Sequence, residues 1–231
     1  GSTWDLELVR QIAAANAAAA RAIGLDMEWY VMNLWADPRF GRLEEGFSEE
    51  PVLTAALVEA TTLGSSGGLL EPDGYVAADK VPAFWKHCCG YAAAVGGLNG
   101  APAQITEHTL REIYLKPWRR ARHAGARGVM PSHQTLLNVP CHANEWLLNG
   151  LLRTEMAWPL AYILSDTADV AQLQSFHVAT DPGDAAAKAL LAGVDVAQVD
   201  PCFEPLVDAL DRGLVNTSAI DAAVRRVLNH K

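Results

Sequence analysis

No apolar run in this 231-residue chain approaches the roughly 20 residues that a membrane-spanning helix needs, although half of its residues are apolar. The Ala-rich stretch 12–23 comes nearest, but Asn16 and Arg21 interrupt it, and it reads as an amphipathic helix lying on a sheet. Positive charge is also short. At a net charge of −9 the chain has no basic face to neutralise phosphates, which argues against a nucleic-acid partner. The one basic cluster, Arg119, Arg120, Arg122, His123 and Arg127, ends a helix, where cations complement the dipole. The four cysteines, Cys88, Cys89, Cys141 and Cys202, stand at no metal-ligand spacing, and adjacent cysteines rarely bridge each other, so neither a metal site nor a disulfide framework is expected. No G-x-G-x-x-G follows a strand, and GGLNG (96–100) lacks a following Lys-Ser/Thr, so nucleotide binding has weak support. The start, GSTWDLELV, has no charged segment followed by an apolar one, and reads as beginning in mid-fold, which leaves a removed leader open.

What is present is an alternation. Residues 4–23 have helix composition with Gly24 as the stop, and 28–35 (EWYVMNLW) are strand-like. Ser48 and Pro51 mark a helix start, running through about Thr61, and 64–74 (GSSGGLLEPDG) is a loop by composition. VPAFWKHCC (81–89) reads as the second strand. Residues 106–124 follow as a helix capped by Thr106 and kinked at Pro117. RGVMPS (127–132) is a third strand, 143–156 a helix, PLAYIL (159–164) a fourth strand, and VDVAQV (194–199) a fifth after an Asp181-Pro182 helix start. Helices over 203–212 and 217–230 close the chain. Strands alternating with helices imply βαβ units and a parallel sheet. Five strands predict either an incomplete or irregular (β/α)8 TIM-like barrel or an open doubly wound sheet, since a full barrel needs eight. An incomplete barrel would expose a strand edge and favour association.

In either fold the site lies at the carboxyl ends of the strands. That rule selects the stretch from Asn33 to Arg42, then Lys86-His87, Ser132-His133 and Ser165-Asp166. Charged donors and acceptors in one cleft suit a hydroxyl-rich ligand such as a sugar, with Trp35 or Trp85 as an aromatic wall. Asp166 could attack an anomeric carbon, kept ionised by nearby Lys86 and Arg42. Bland readings stand beside these: Lys86 as a structural counter-ion, His87 as a core histidine, Arg39 bracing the Glu-rich turn, Asp37 as a turn former, and Glu45 and Glu49 as paired structural acids. Nothing around His133 fixes its role. Lys86 as a Schiff-base lysine is a further alternative from another enzyme class.

Several segments in order resemble family 3 glycoside hydrolases, the β-glucosidase and β-xylosidase family, in the N-terminal barrel domain. STWDLELV is similar to the family's A-T-W-(D/N)-P-E-L-V, and DPRFGRLEEGFSEEP to D-P-R-W-G-R-x-x-E-x-x-x-E-D-P. FWKHCCGY resembles the K-H-F-x-x-Y strand end, LREIYLKPW the L-R-E-x-Y-L-x-P-F helix, and VMPSHQTLLNVPCHANEWLLNGLLR the run that begins V-M-x-S-Y-N. ILSDT sits where the family has V-V-S-D-W, and AAAKALLAGVDV resembles the following A-A-x-x-A-x-x-A-G-x-D. The resemblance implies Asp166 as catalytic nucleophile and Arg42, Lys86 and His87 as sugar-hydroxyl binders. His133 falls at a tyrosine that borders the sugar, and Asn33 matches the xylosidase-like branch. It also implies no cofactor, a β-linked oligosaccharide or glycoside as partner, and a secreted or extracellular setting.

The departures are specific. Ala36 replaces an arginine, Glu49-Glu50-Pro51 an E-D-P, His133-Gln134 a Tyr-Asn pair, Leu137-Asn138 an Asn-Gly turn, and Thr167 an aromatic or cysteine. The family's first strand would precede Gly1, and the sandwich domain that carries the acid/base glutamate would follow Lys231. The expectation is therefore a fragment, truncated form or divergent homologue, with residues 1–231 as one family 3 N-terminal-like domain. Its activity would be that of a retaining exo-glycosidase on terminal β-glucose or β-xylose, or it would be a non-catalytic descendant that keeps a sugar pocket.

Overall fold

The computed structural model describes residues 1–32, 34, 38–68, 76–198 and 203–230. The first half runs α1 (Leu6–Ala22), β1 (Glu28–Val31), α2 (Pro51–Ser66), β2 (Ala83–Cys88), α3 (Glu107–Thr109) and α4 (Leu115–His123). Then come β3 (Gly128–Pro131), β4 (Thr135–Leu136), β5 (Val139–Pro140), β6 (Tyr162–Ile163), α5 (Asp169–Ser175), α6 (Pro182–Ala192), α7 (Leu206–Asp211) and α8 (Thr217–His230).

Four strands form one parallel sheet in the order β1-β2-β3-β6. The segment expected as a fifth strand joins β6 through one parallel bridge, Leu164 to Val196, with Asp195 N–H donating to Ile163 O at 2.8 Å. Consecutive strands are neighbours and a helix lies in each crossover, the arrangement of a (β/α) barrel wall. Among the described residues the barrel does not close, and β1 is an edge.

Local chemistry explains the helix ends. Asp5 accepts from Leu8 N–H to open α1, Thr106 from Thr109 N–H to open α3, and Asp181 from Asp184 N–H to open α6. The start of α2 differs from expectation. Glu50, not Ser48, caps it, taking the N–H groups of Val52 and Leu53, while Ser48 Oγ accepts from Glu50 N–H one step earlier. A carboxylate satisfies two orphan donors where a hydroxyl would satisfy one. Helix α2 also continues to Ser66, five residues past its expected end at Thr61, and stops at Gly67 with φ +83°. Gly64 fits inside this helix because α1 crosses there. A Cβ at Gly64 would lie 2.2 Å from Arg10 O.

Ahead of Pro117 the helical ladder widens to π register over Leu110–Tyr114, accommodating a residue with no N–H to return to the preceding turn. The stretch expected as a helix over 143–156 is π-helical at Trp146–Glu155. The hairpin of β4 and β5 was not expected. Its turn residues Leu137 and Asn138 have φ +51° and +67°, the two positive values of a tight hairpin, without the Asn-Gly signal.

The core lies between sheet and helices and includes Trp85, Leu110, Trp118, Leu148, Leu151 and Ile163. Asp195 pins three elements at its rim. Arg153 from the π-helical stretch and Arg226 from α8 reach its carboxylate at 2.8 and 2.7 Å, and Ile163 N–H in β6 donates to it at 2.9 Å.

Candidate active site

Three strand ends deliver the cluster. At the end of β2, Lys86 lies opposite Met130 of β3 and Cys88 opposite Pro131, so the register shifts across His87. Such an irregularity re-aims a side chain at the strand end. His133 follows β3, and Asp166 follows β6 by three residues.

Asp166 is 7% exposed. Its Oδ1 accepts from Thr167 N–H at 2.7 Å. Its Oδ2 lies 3.2 Å from His87 Nε2 and 3.0 Å from His133 Nε2. Those two contacts are close but poorly directed, and Oδ2 stays enclosed without a well-aligned donor. Burial pushes the Asp166 carboxyl up; the His87 contact, the charge of His133 and the Thr167 N–H outweigh it and bring it down to about 2. The expectation that Lys86 and Arg42 would hold this charge is corrected: the histidines and a backbone amide do so.

Behind Asp166 stands a second layer that the sequence reading did not name. His133 Nδ1 is 2.9 Å from Asp169 Oδ1, and His142 Nδ1 is 3.3 Å from Asp169 Oδ2. Asp166 N–H donates to His142 Nε2 at 3.0 Å. Burial lowers the His142 imidazole to about 4, and burial likewise lowers His87, whereas the bond to Asp169 raises His133. The sequence signal for Asp169 was its spacing of three from Asp166 on a helix start. His142 carried none, because the turn that brings it in depends on the unforeseen hairpin.

Arg42 forks onto Glu45 at 2.7 and 2.8 Å and donates to Tyr91 Oη at 2.8 Å. The bond to Glu45 raises the Arg42 guanidinium, and Arg42 lowers Glu45, as expected of a paired acid. The Tyr91 ring lies 4.6 Å from that of His87 and 5.9 Å from that of His133, so it links Arg42 to the histidines. Tyr91 lay within the FWKHCCGY match but had no assigned role. Lys86 is half-buried and forms no ion pair among the described residues. Asn33, Trp35, Asp37 and Cys202 lie outside the described residues.

Trp85 does not wall the site. It is fully buried, its Nε1–H donates to Thr62 Oγ1 at 3.0 Å, and its ring packs beside Tyr30 and Phe47. Alternation along β2 sends its side chain into the core rather than to the strand end. Cys88, Cys89 and Cys141 are buried and free.

Ligand atoms of His133, Asp166 and Asp169 come within 4.8 Å of one another. Both ring nitrogens of His133 already face carboxylate oxygens, so protons account for this cluster without a metal ion. A groove of about 560 Å³ on α2 and α4, lined by Val52, Ala55, Lys116, Arg119, Arg120 and His123, offers cations but no carboxylate. It cannot do the same chemistry.

The family model "Glycosyl hydrolase family 3 N terminal domain" matches residues 1–230. The chain belongs to glycosyl hydrolase family 3. A beta-xylosidase of Formosa agariphila is 39% identical over 84% of this chain and 27% of its own length. The periplasmic beta-glucosidase of Salmonella typhimurium is 32% identical over 100% of this chain and 30% of its own. The solved beta-glucosidase of Listeria innocua superposes with a TM-score of 0.93 at 30% identity, over 99% of this chain and 31% of that one. The chain thus spans under a third of these relatives.

Proposed function

We propose that this chain carries the nucleophile side of a retaining β-glycosidase site for terminal non-reducing β-D-glucosyl or β-D-xylosyl residues. Asp166 attacks the anomeric carbon, the bond to the leaving oxygen breaks as that oxygen is protonated, and water then releases the sugar and restores the carboxylate. Arg42, Lys86 and His87 bind sugar hydroxyls, and His133 borders the ring. The observation that carries this reading is the state of Asp166: buried at a strand end, ionised down to about 2, with Oδ2 held by close contacts rather than spent on well-directed hydrogen bonds. The names of the relatives, β-glucosidases and β-xylosidases, support the substrate class. Glu45 does not suit the acid role, because Arg42 keeps it ionised.

The test uses dinitrophenyl 2-deoxy-2-fluoro glycosides of glucose and xylose, whose leaving group needs little protonation. Peptide mapping should find the label on Asp166 and none in Asp166→Asn. A label on another carboxylate overturns the assignment. Sugar binding without any label favours a non-catalytic sugar-binding descendant instead.

A further inference from the structure

Four side chains and one backbone amide close a loop around the candidate nucleophile. From Asp166 Oδ2 the path runs 3.0 Å to His133 Nε2, across the ring, and 2.9 Å from Nδ1 to Asp169 Oδ1. It leaves Asp169 by Oδ2, which lies 3.3 Å from His142 Nδ1 in a close but poorly directed contact, and returns from His142 Nε2 to the Asp166 N–H at 3.0 Å. With both carboxylates ionised, protons can be placed on this loop in one consistent way. The Asp166 N–H occupies the lone pair of His142 Nε2, so neutral His142 carries its proton on Nδ1, facing Asp169. Asp169 presents one oxygen to that N–H and the other to His133. His133 then meets a carboxylate at each nitrogen, and a neutral ring would turn a lone pair on one of them. That repulsion vanishes when His133 is the imidazolium.

We propose that Asp169 and His142 are positioning residues that hold His133 doubly protonated between two carboxylates and so fix the orientation of Asp166. Asp169 is built for this. It sits at the first position of α5, 2% exposed, next to Ala168, which takes φ +60° where no glycine is present. An isolated carboxylate buried this deeply is costly unless partnered, and its partners here are the two imidazoles. The groups facing His133 from other elements act in known directions. Asp166 favours its charge, Arg42 opposes it, and the Tyr91 ring and the His87 ring pack against it without an anion.

The decisive measurement is ¹⁵N–¹H NMR of the imidazole nitrogens in the 231-residue chain, titrated from pH 5 to 9. In the wild type, His133 should have both nitrogens protonated at pH 7, and His142 should be the neutral Nδ1–H form throughout. In Asp169→Asn the midpoint of His133 should fall by at least about one pH unit, since an opposite charge at this range shifts a pKa by roughly 1–3. A neutral His133 in the folded wild type at pH 7, or His142 as the Nε2–H form, overturns the proposal without any variant. So does an unmoved His133 midpoint in a folded Asp169→Asn. A second arm rests on the glycosidase reading: labelling by the fluoro sugar should fall at alkaline pH as His133 loses its proton, and Asp169→Asn should move that limb to lower pH. Titrations as expected with no labelling would leave the loop standing and count against the glycosidase reading alone.

Discussion

Asp166 illustrates how a single residue is tuned by what surrounds it. Desolvation alone would push its carboxyl up; two imidazoles and one amide reverse the sign and leave it at about 2 against 3.8 in the unfolded chain. A depressed carboxylate stabilises the fold above its unfolded pKa and loses that contribution as pH falls through the folded one, here from about 3.8 to about 2. The gap corresponds to roughly 2 kcal/mol at neutral pH. Asp166→Asn should therefore lower stability by about that amount in urea unfolding at pH 7, while Thr167→Val, which leaves the amide in place, should not. An unchanged or raised unfolding free energy in Asp166→Asn would mean that the histidines do not stabilise the charge.

At the scale of elements, the contact between α1 and α2 is set by one hydrogen atom. Helix propensity favours alanine over glycine by roughly 0.5–1 kcal/mol inside a helix. At Gly64 that preference should be overturned, because a Cβ would sit 2.2 Å from Arg10 O and 2.9 Å from the Ala13 Cβ. Neither neighbour can swing away, one being backbone and the other a methyl on the facing helix. Gly64→Ala is expected to destabilise by about 1–3 kcal/mol, the usual cost of overpacking, measured as a lower urea midpoint at unchanged slope. A stabilised variant would mean that the two helices separate freely. The register shift at the end of β2 acts at the element scale as well. It leaves two consecutive candidate residues, Lys86 and His87, at one strand end, where strict alternation would offer one.

For the whole molecule, the histidines set the response to acid. His142 is buried neutral, with a folded pKa of about 4 against 6.5 unfolded, and burial depresses His87 in the same direction. A depressed histidine contributes stability above its unfolded pKa and loses it as pH falls, so the unfolded state binds more protons between about 6.5 and 4. His133 has the opposite sign: its raised pKa adds stability below 6.5 and withdraws it at higher pH. The net expectation is a loss on the order of 3 kcal/mol between pH 6.5 and 4, dominated by His142. His142→Gln should flatten that slope in urea unfolding, and an equal slope in the variant would refute the assignment. The open sheet has its own consequence. With β1 at an edge of the described sheet and its residues only half-buried, the chain is expected to self-associate, and sedimentation velocity should detect species above the monomer. A monodisperse monomer would contradict this.

The sequence by itself determined the alternation of helices and strands, the caps at Thr106 and Asp181, and the five residues Arg42, Lys86, His87, His133 and Asp166 as candidates. The elements and caps depend on local rules of periodicity and turn chemistry; the position of polar residues just past apolar runs selected the stretches that hold the five, and the family resemblance singled them out within those stretches. Four of the five form a continuous group in space through Tyr91, and Lys86 adjoins it on β2. Only the tertiary structure decided that Trp85 faces the core and that Glu50 rather than Ser48 caps α2. It alone placed Asp169 and His142 behind Asp166. Asp169 meets His133 across 36 residues, and His142 reaches Asp166 across 24. The reason is physical. Hydrogen bonds of that span come from how three strand ends and a hairpin converge, and no window along the chain contains both partners.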